Sequence, residues 1–170
     1  SGWYYQEQLN YCRLFQTQQE GAFDPAKKRV SPAQTESAAR EVERALAEGG
    51  GAGKVLHHRV FAALLRPALT DAISSTARAQ TFTDQAALAC ALERCRIASG
   101  QFPENLGALV PRFISSLPND VISGEPYKYR RTDDGQFMLY SVGWNENDDG
   151  GVPGATYFSH EKQGDWVWRY

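Results

Sequence analysis

The chain lacks any long apolar run. Its longest begins at Val60 and ends at Leu65, where Arg66 and Pro67 interrupt it. A membrane-spanning helix needs about 18 consecutive apolar residues. We therefore expect no transmembrane helix within these 170 residues.

An excess of basic residues is also missing. The chain has 18 Lys and Arg residues against 20 Asp and Glu residues, so its formal net charge is −2. Phosphate binding requires a concentrated basic surface, and the nearest cluster is the short run Lys27, Lys28 and Arg29, which is typical of a solvated loop. The charge balance therefore argues against nucleic acid as the main partner.

Cysteine is scarce as well. Three cysteines are too few for a disulfide scaffold and cannot all pair within the chain. Cys90 and Cys95 are five residues apart in a predicted helix, so the helix turns about 500° between them and their side chains diverge. We expect both to be small buried apolar residues rather than a disulfide or a metal pair.

The usual signatures of catalysis and nucleotide binding are absent too. The sequence has no GxSxG, P-loop or GxGxxG motif. His57 and His58 are adjacent, so on a helix they point about 100° apart and cannot jointly bind one metal in the usual manner. We therefore expect no catalytic residue. The rival hypothesis is an enzyme with an unrecognised pair of carboxylates, either Asp133 and Asp134 or Glu161 and Asp165.

What the sequence does contain begins with two helical patterns. In residues 3–23, Tyr5, Leu9, Cys12 and Phe15 recur at the spacing of one helical face. A second helix is predicted from about residue 35 to residue 48. We interpret residues 1–48 as a helical extension whose aromatic side chains are too apolar to stay exposed over a continuous patch.

A glycine-rich linker at residues 49–53 follows and precedes the predicted main domain, residues 54–170. This domain opens with an amphipathic helix at 54–66, and Pro67 either kinks that helix or starts the next. Helix-forming composition then continues to Ser99, with Gly100 as a left-handed stop. A short helix is expected from Glu104 to Val110.

The apolar period then changes from helical spacing to two. Residues 127–131 and 136–142 flank an Asp-Gly turn, which predicts a β-hairpin, and residues 164–168 suggest a last short strand. The fold class is therefore α+β, with a long helix packed on a small antiparallel sheet of three or four strands. The predicted core combines helical and sheet residues: Leu88, Leu92, Cys95, Tyr127, Tyr129, Phe137, Leu139, Tyr140 and Trp166.

The loop after the hairpin is rich in oxygen-bearing side chains. Asn145, Asn147 and Asp149 alternate before Gly150, which is the spacing of an EF-hand-type calcium loop. Asp148 and Asp165 would add charge if the last strand returns beside the loop. The alternative is an Asx-rich turn in which these side chains bond their own backbone, because the twelfth position lacks the bidentate Glu of an EF-hand.

These features together resemble the major pseudopilin of type II secretion systems over residues 85–168. An even closer resemblance is to the soluble parts of envelope proteins of planctomycete and verrucomicrobial bacteria that carry an Asp-Asp-Gly-Gly ending. Five short motifs follow in the family's order: the end of a helix at Ala91–Arg96, Gly100-x-Phe102-Pro103, Leu117-Pro118-x-Asp120, Gly124-x-Pro126-Tyr127-x-Tyr129 and Leu139-Tyr140-Ser141-x-Gly143.

The resemblance implies a pseudopilin-like head that acts without catalysis in an extracytoplasmic compartment. It also implies a membrane anchor in a segment outside this sequence, protein partners or self-association, a possible link to secretion or pilus-like assembly, and calcium in the Asp/Gly loop. A calcium-dependent ligand-binding or adhesion module is the alternative function. Asn145 stands where the family has Asp, and about 65 residues precede the matching helix.

Overall fold

The computed structural model describes residues 2–47, 60–154 and 163–168, with the backbone alone described for residues 60–69. Residue contacts divide the chain into two compact units. The first comprises residues 1–26 and 30–75, and the second comprises residues 27–29 and 76–170. The boundary between them falls within a helix, while the predicted linker at 49–53 lies outside the described residues.

The first unit is helical. Helix α1 spans Gly2–Gln19, the two-residue strands β1 (Phe23–Asp24) and β2 (Arg29–Val30) pair with each other, and α2 spans Pro32–Ala47. The start of α2 is set by Ser31, whose Oγ accepts the Gln34 amide at 3.3 Å. A serine cap followed by proline at the first helical position is a strong start signal.

The buried face of α1 differs from the sequence prediction. Leu9 and Cys12 are exposed and Tyr5 keeps 68% of its surface, whereas Glu7 and Gln18 are buried. Tyr11 and Leu14 share the helix face of Glu7 and Gln18, and they pack against Val42 and Leu46 of α2.

Burial of Gln18 is compatible with this arrangement because its Nε2 donates to Thr70 Oγ1 at 2.7 Å. A buried amide that keeps its hydrogen bond avoids most of the cost of desolvation. The aromatic side chains that we expected to be covered are exposed at the start of α1: Trp3, Tyr4 and Tyr5.

Helix α3 runs without interruption over Val60–Ser99. The prediction that Pro67 starts a new helix is wrong, since loss of one N–H donor leaves the neighbouring helical hydrogen bonds in place. Gly100 ends α3 as predicted, with a φ of 83° and an amide that bonds Arg96 O at 2.7 Å. In the part of the chain that the structure describes, no helix has the length and apolarity to cross a membrane.

Cys95 is buried in the core as predicted, but Cys90 is exposed. The same helical divergence that excluded a bridge places Cys90 away from the inward stripe of Leu88, Leu92 and Cys95. The short helix after α3 is also smaller than predicted. It is a 3₁₀ turn over Leu106–Leu109, capped by Asn105, whose side chain accepts the Ala108 amide.

The second unit confirms the α+β fold class. Strands β3 (Lys128–Arg131), β4 (Phe137–Ser141) and β5 (Trp166–Trp168) form an antiparallel sheet in the order β3–β4–β5. Tyr129 pairs with Leu139, and Leu139 pairs with Trp168. The predicted core residues from helix and sheet are buried or half-buried, and Phe102, Leu106 and Leu109 complete the cluster.

Candidate functional site

The candidate site is the loop that follows β4, residues 143–154, together with Asp165 just before β5. Strand β4 is covered on both faces. Phe137, Leu139 and Ser141 are buried on the face toward the helix, while Tyr140 is buried and Met138 half-buried on the opposite face. Trp144 is buried at the start of the loop. The loop then turns where the Glu146 amide bonds Gly143 O at 3.3 Å.

Asp165 organises this loop from within. Its side chain is 3% exposed. Its Oδ1 accepts the Asp149 amide at 3.2 Å and its Oδ2 accepts the Gly151 amide at 2.6 Å. The Asp165 amide in turn donates to Val152 O at 2.9 Å. The sequence prediction that Asp165 returns beside the loop therefore describes its position, and its oxygens hold backbone amides.

The pKa of Asp165 is shifted upward by its surroundings. Burial raises the pKa of this carboxyl above its usual value, and the negative charges of Asp148 and Asp149 raise it further. The amides of Gly151 and Asp149 act in the opposite direction without cancelling the rise. The site thus brings together the carboxyl groups of Asp148, Asp149 and Asp165, and the buried Asp165 is the one whose charged form is destabilised by burial and by its neighbours.

The surroundings of Asp148 lower its pKa, in contrast to those of Asp165. Its Oδ1 accepts the Gly150 amide at 3.0 Å and the Tyr140 hydroxyl at 3.1 Å, and its Oδ2 is 3.6 Å from Lys128 Nζ. The hydrogen bond from Gly150, together with those from Tyr140 and Lys128, lowers the pKa of Asp148. Asp148 therefore stays charged and links the loop to β3 and β4.

Asn145, Asn147 and Asp149 form a local turn. Asn145 Oδ1 accepts the Asn147 amide at 3.2 Å, and its Nδ2 donates to Asp149 Oδ2 at 2.8 Å. The first is the side-chain-to-backbone bond of an Asx turn, and the second joins two side chains across that turn. The five residues predicted as cation ligands are thus neighbours in space. Hydrogen bonds within the protein engage the side chains of four of them, Asn145, Asp148, Asp149 and Asp165, and the backbone amide of Asn147.

A cation would have to displace several of these bonds. Within residues 2–47, 60–154 and 163–168, no cluster of three or more His, Cys, Asp or Glu side chains is arranged to hold a metal ion. Asp165 is enclosed by two amides, and Asp148 faces an ammonium group. The loop conformation does not fit calcium as it stands, and calcium binding stays a prediction.

One glycine fixes how closely the loop approaches the sheet. Gly151 has a φ of 84°, and a Cβ atom there would collide with Met138 Sδ and lie 3.4 Å from Tyr140 Cδ1. Only glycine combines a left-handed backbone with this contact. The loop is therefore built to lie flat on the outer face of β4.

Sequence reasoning about ligands did not single out Asp120, the second organising carboxylate. Asp120 is 2% exposed. Its Oδ1 accepts the Ile122 amide at 3.0 Å, and its Oδ2 accepts the Val142 amide at 3.3 Å and the Ser123 hydroxyl at 3.3 Å. Its place in the Leu117-Pro118-x-Asp120 motif was the available signal, but a hydrogen bond 22 residues away in sequence is not visible there.

Of the other candidate groups, the hairpin carboxylate Asp134 lies within the described residues. Asp134 lies in the hairpin turn, where its Oδ1 accepts the Thr132 hydroxyl and the Gln136 amide at 3.2 Å. These hydrogen bonds lower the pKa of this exposed carboxyl, which suits a turn rather than an acid catalyst. The remaining candidates, His57, His58, His160 and Glu161, lie outside the described residues.

Comparison with known proteins gives no assignment. No protein-family model matches the chain, and neither a curated protein nor a solved structure matches it significantly. The function must therefore be argued from the chain's own residues.

Proposed function

We propose that this chain is a non-catalytic structural and interaction domain, the pseudopilin-like part of an extracytoplasmic protein that a segment outside this sequence tethers to the membrane. The observation that supports this most is the order of elements in the second unit. A long helix ends at Gly100, and its Leu88 and Leu92 face packs on an antiparallel hairpin that leads into an Asp/Gly loop.

The use of the buried acids also favours an architectural function. In both Asp120 and Asp165, each carboxylate oxygen accepts a hydrogen bond from a backbone amide of a loop next to the sheet. A catalytic carboxylate needs an oxygen that can reach a substrate proton. Carboxylates engaged in this way stabilise loop conformation, which a protein-binding head requires.

Partners or further copies of the chain would contact the exposed aromatic end of α1. Trp3, Tyr4, Tyr5 and Leu9 keep between 43% and 68% of their surface exposed. Tyr and Trp are enriched where proteins bind one another, because they bury a large area at a small cost in conformational entropy. We assign this surface to protein contact within the proposed function.

The test uses the full-length gene in its own organism. A photo-crosslinking amino acid at Tyr5 should give discrete crosslinked products in the envelope fraction, and protease added outside the cytoplasm should digest the domain. The same amino acid at Gln16, an exposed polar position of α1, is the matched control and should give few products. A cytoplasmic, protease-resistant protein would overturn the compartment, and equal crosslinking at both positions would overturn the surface.

A further inference from the structure

A closed ring of hydrogen bonds links three separate segments of the second unit, and Arg29 closes it. Arg29 Nε donates to Ile122 O at 2.6 Å, and Arg29 Nη2 lies 3.3 Å from Glu146 Oε1. These two contacts reach the loop at 119–126 and the loop at 143–151. A planar guanidinium is suited to this because it presents several donors in a fixed fork.

The two loops are also joined on their inner side through Asp120. The buried Asp120 carboxylate accepts the Ile122 amide with one oxygen and the Val142 amide with the other. Val142 leads into Gly143, whose carbonyl accepts the Glu146 amide. The ring therefore runs from Arg29 through Ile122, Asp120 and the 142–146 turn back to Arg29.

Local backbone geometry shows what the ring constrains. Glu146 has a φ of 59°, a left-handed conformation that is unfavourable for a residue with a side chain. Gly124 has a φ of 79°, and a Cβ atom there would lie 3.6 Å from Arg29 Cδ. Each loop thus has a residue with left-handed backbone close to Arg29. Such a conformation depends on support from surrounding groups, so the hydrogen bonds from Arg29 should influence it strongly.

We propose that Arg29 is a positioning residue that clasps the 119–126 and 143–151 loops in one conformation, so that its release loosens both loops together. The carbonyl bond contributes more than the ion pair. The ion-paired side chains are 38% and 34% exposed, and exposed pairs contribute little. The Ile122 carbonyl belongs to a residue that is 0% exposed, and the bond to it is short, 2.6 Å, and part-buried. The inference does not depend on the proposed function or on calcium.

The test is amide hydrogen exchange, followed by NMR, on the 170-residue chain. Arg29→Ala should accelerate exchange at residues 122, 124 and 146 by about tenfold, the size expected for loss of one part-buried, charge-assisted hydrogen bond. Amides of β4 should keep their rates. Arg130→Ala, which removes the same charge from an exposed arginine of β3, is the matched control and should leave all three positions unchanged.

Two further variants separate a clasp from general stabilisation. Glu146→Ala should accelerate exchange at 146 but not at 122 and 124, because it breaks only one arm. Arg29→Lys keeps the charge but lacks the fork, and it should behave as Arg29→Ala does. Wild-type exchange in Arg29→Lys would show that charge alone suffices and would overturn the proposal. Acceleration spread equally over β4, or none at 122 and 146 in Arg29→Ala, would also overturn it.

Discussion

At the scale of single residues, substitution of two adjacent glycines in the loop should lower stability by different amounts. Gly150 and Gly151 both have a positive φ, but an added Cβ meets nothing within 4 Å at Gly150 and collides with Met138 at Gly151. Gly150→Ala should cost about 1 kcal/mol of unfolding free energy for its left-handed backbone, and Gly151→Ala should cost at least about 1 kcal/mol more. Urea denaturation measures both.

The variant Met138→Ala isolates the cause of that difference. Removing the Met138 side chain gives the new methyl group room, so the excess cost of Gly151→Ala should disappear in this background. If both glycine variants lose the same stability in wild-type protein, the contact between the loop and β4 is not close, and the description of the loop is wrong.

Buried tyrosines predict the response of stability to alkali. Burial raises the pKa of Tyr129 to about 12, despite the opposing charge of Arg131. The pKa of Tyr127 is raised as well, by burial and by the charge of Asp84, whose Oδ2 accepts a hydrogen bond from the Tyr127 hydroxyl at 3.1 Å. Because the unfolded tyrosines ionise near pH 10, this stabilisation is present below that pH and is lost as pH rises through the folded values.

The measurement is urea denaturation at a series of pH values from about 8 to about 11, with tyrosinate absorbance followed in parallel. Wild-type stability should fall above about pH 10, and Tyr129→Phe should fall less steeply because it has one fewer group to ionise. Tyr129→Phe also loses its hydrogen bond to Pro103 O, so its stability near neutral pH sets its baseline. Equal slopes for the two proteins would contradict a raised pKa at Tyr129.

At the scale of elements, one side chain fastens the last strand to the long helix. Gln85 of α3 is fully buried, and its Nε2 donates to Trp166 O at the start of β5 at 2.6 Å. Gln85→Met keeps the volume but leaves that carbonyl without its donor, which should cost about 1–2 kcal/mol. Gln80→Met, at an exposed glutamine of the same helix, should change stability by less than about 0.5 kcal/mol.

Thermal or urea unfolding of the two variants decides the point. A loss confined to Gln85→Met would support the anchoring of β5 by α3. Similar losses in both variants would attribute the effect to helix propensity rather than to the buried hydrogen bond.

At the scale of the whole molecule, calcium binding would appear as added stability. If the loop rearranges to bind calcium, millimolar calcium should raise the melting temperature of protein first stripped with chelator, because a ligand that binds the folded chain stabilises it by mass action. Asp149→Ala should abolish this rise. Its carboxylate accepts only the Asn145 amide group among the hydrogen bonds of the loop described above, so the variant should melt close to the metal-free wild-type protein.

Asp165→Ala makes a contrasting prediction. It removes the acceptor of two backbone amides, so it should lower the melting temperature with or without calcium. An unchanged melting temperature for wild-type protein in calcium would identify the loop as an Asx turn without a bound cation.

Local patterns predicted most of the fold. The Asp-Gly turn marked the hairpin, where Gly135 supplies a left-handed residue with a φ of 78°, and Gly100 marked the end of α3. The inward stripe of Leu88, Leu92 and Cys95 followed from helical periodicity alone. These features depend on residues close together in the sequence, so local patterns are sufficient to predict them.

The predictions that failed depend on contacts across the chain. The buried face of α1 was misassigned because Gln18 becomes favourable inside only when Thr70 accepts its hydrogen bond. The oxygen-rich loop left two alternatives open, a cation site and an Asx turn. The Asp148 oxygens contact Tyr140, Lys128 and the Gly150 amide, partners that local sequence does not show, and calcium binding itself stays a prediction.

The sequence by itself determined the helical and strand periods, the turn positions and the α+β class, because each follows from local backbone preference and apolar spacing. Only the tertiary structure decided the partners of the polar groups. Asp120 meets Val142, Gln85 meets Trp166 O, and Arg29 meets Ile122 O across separations of 22, 81 and 93 residues. A hydrogen bond requires its two atoms to lie within about 3 Å, and chain folding alone brings such distant residues together.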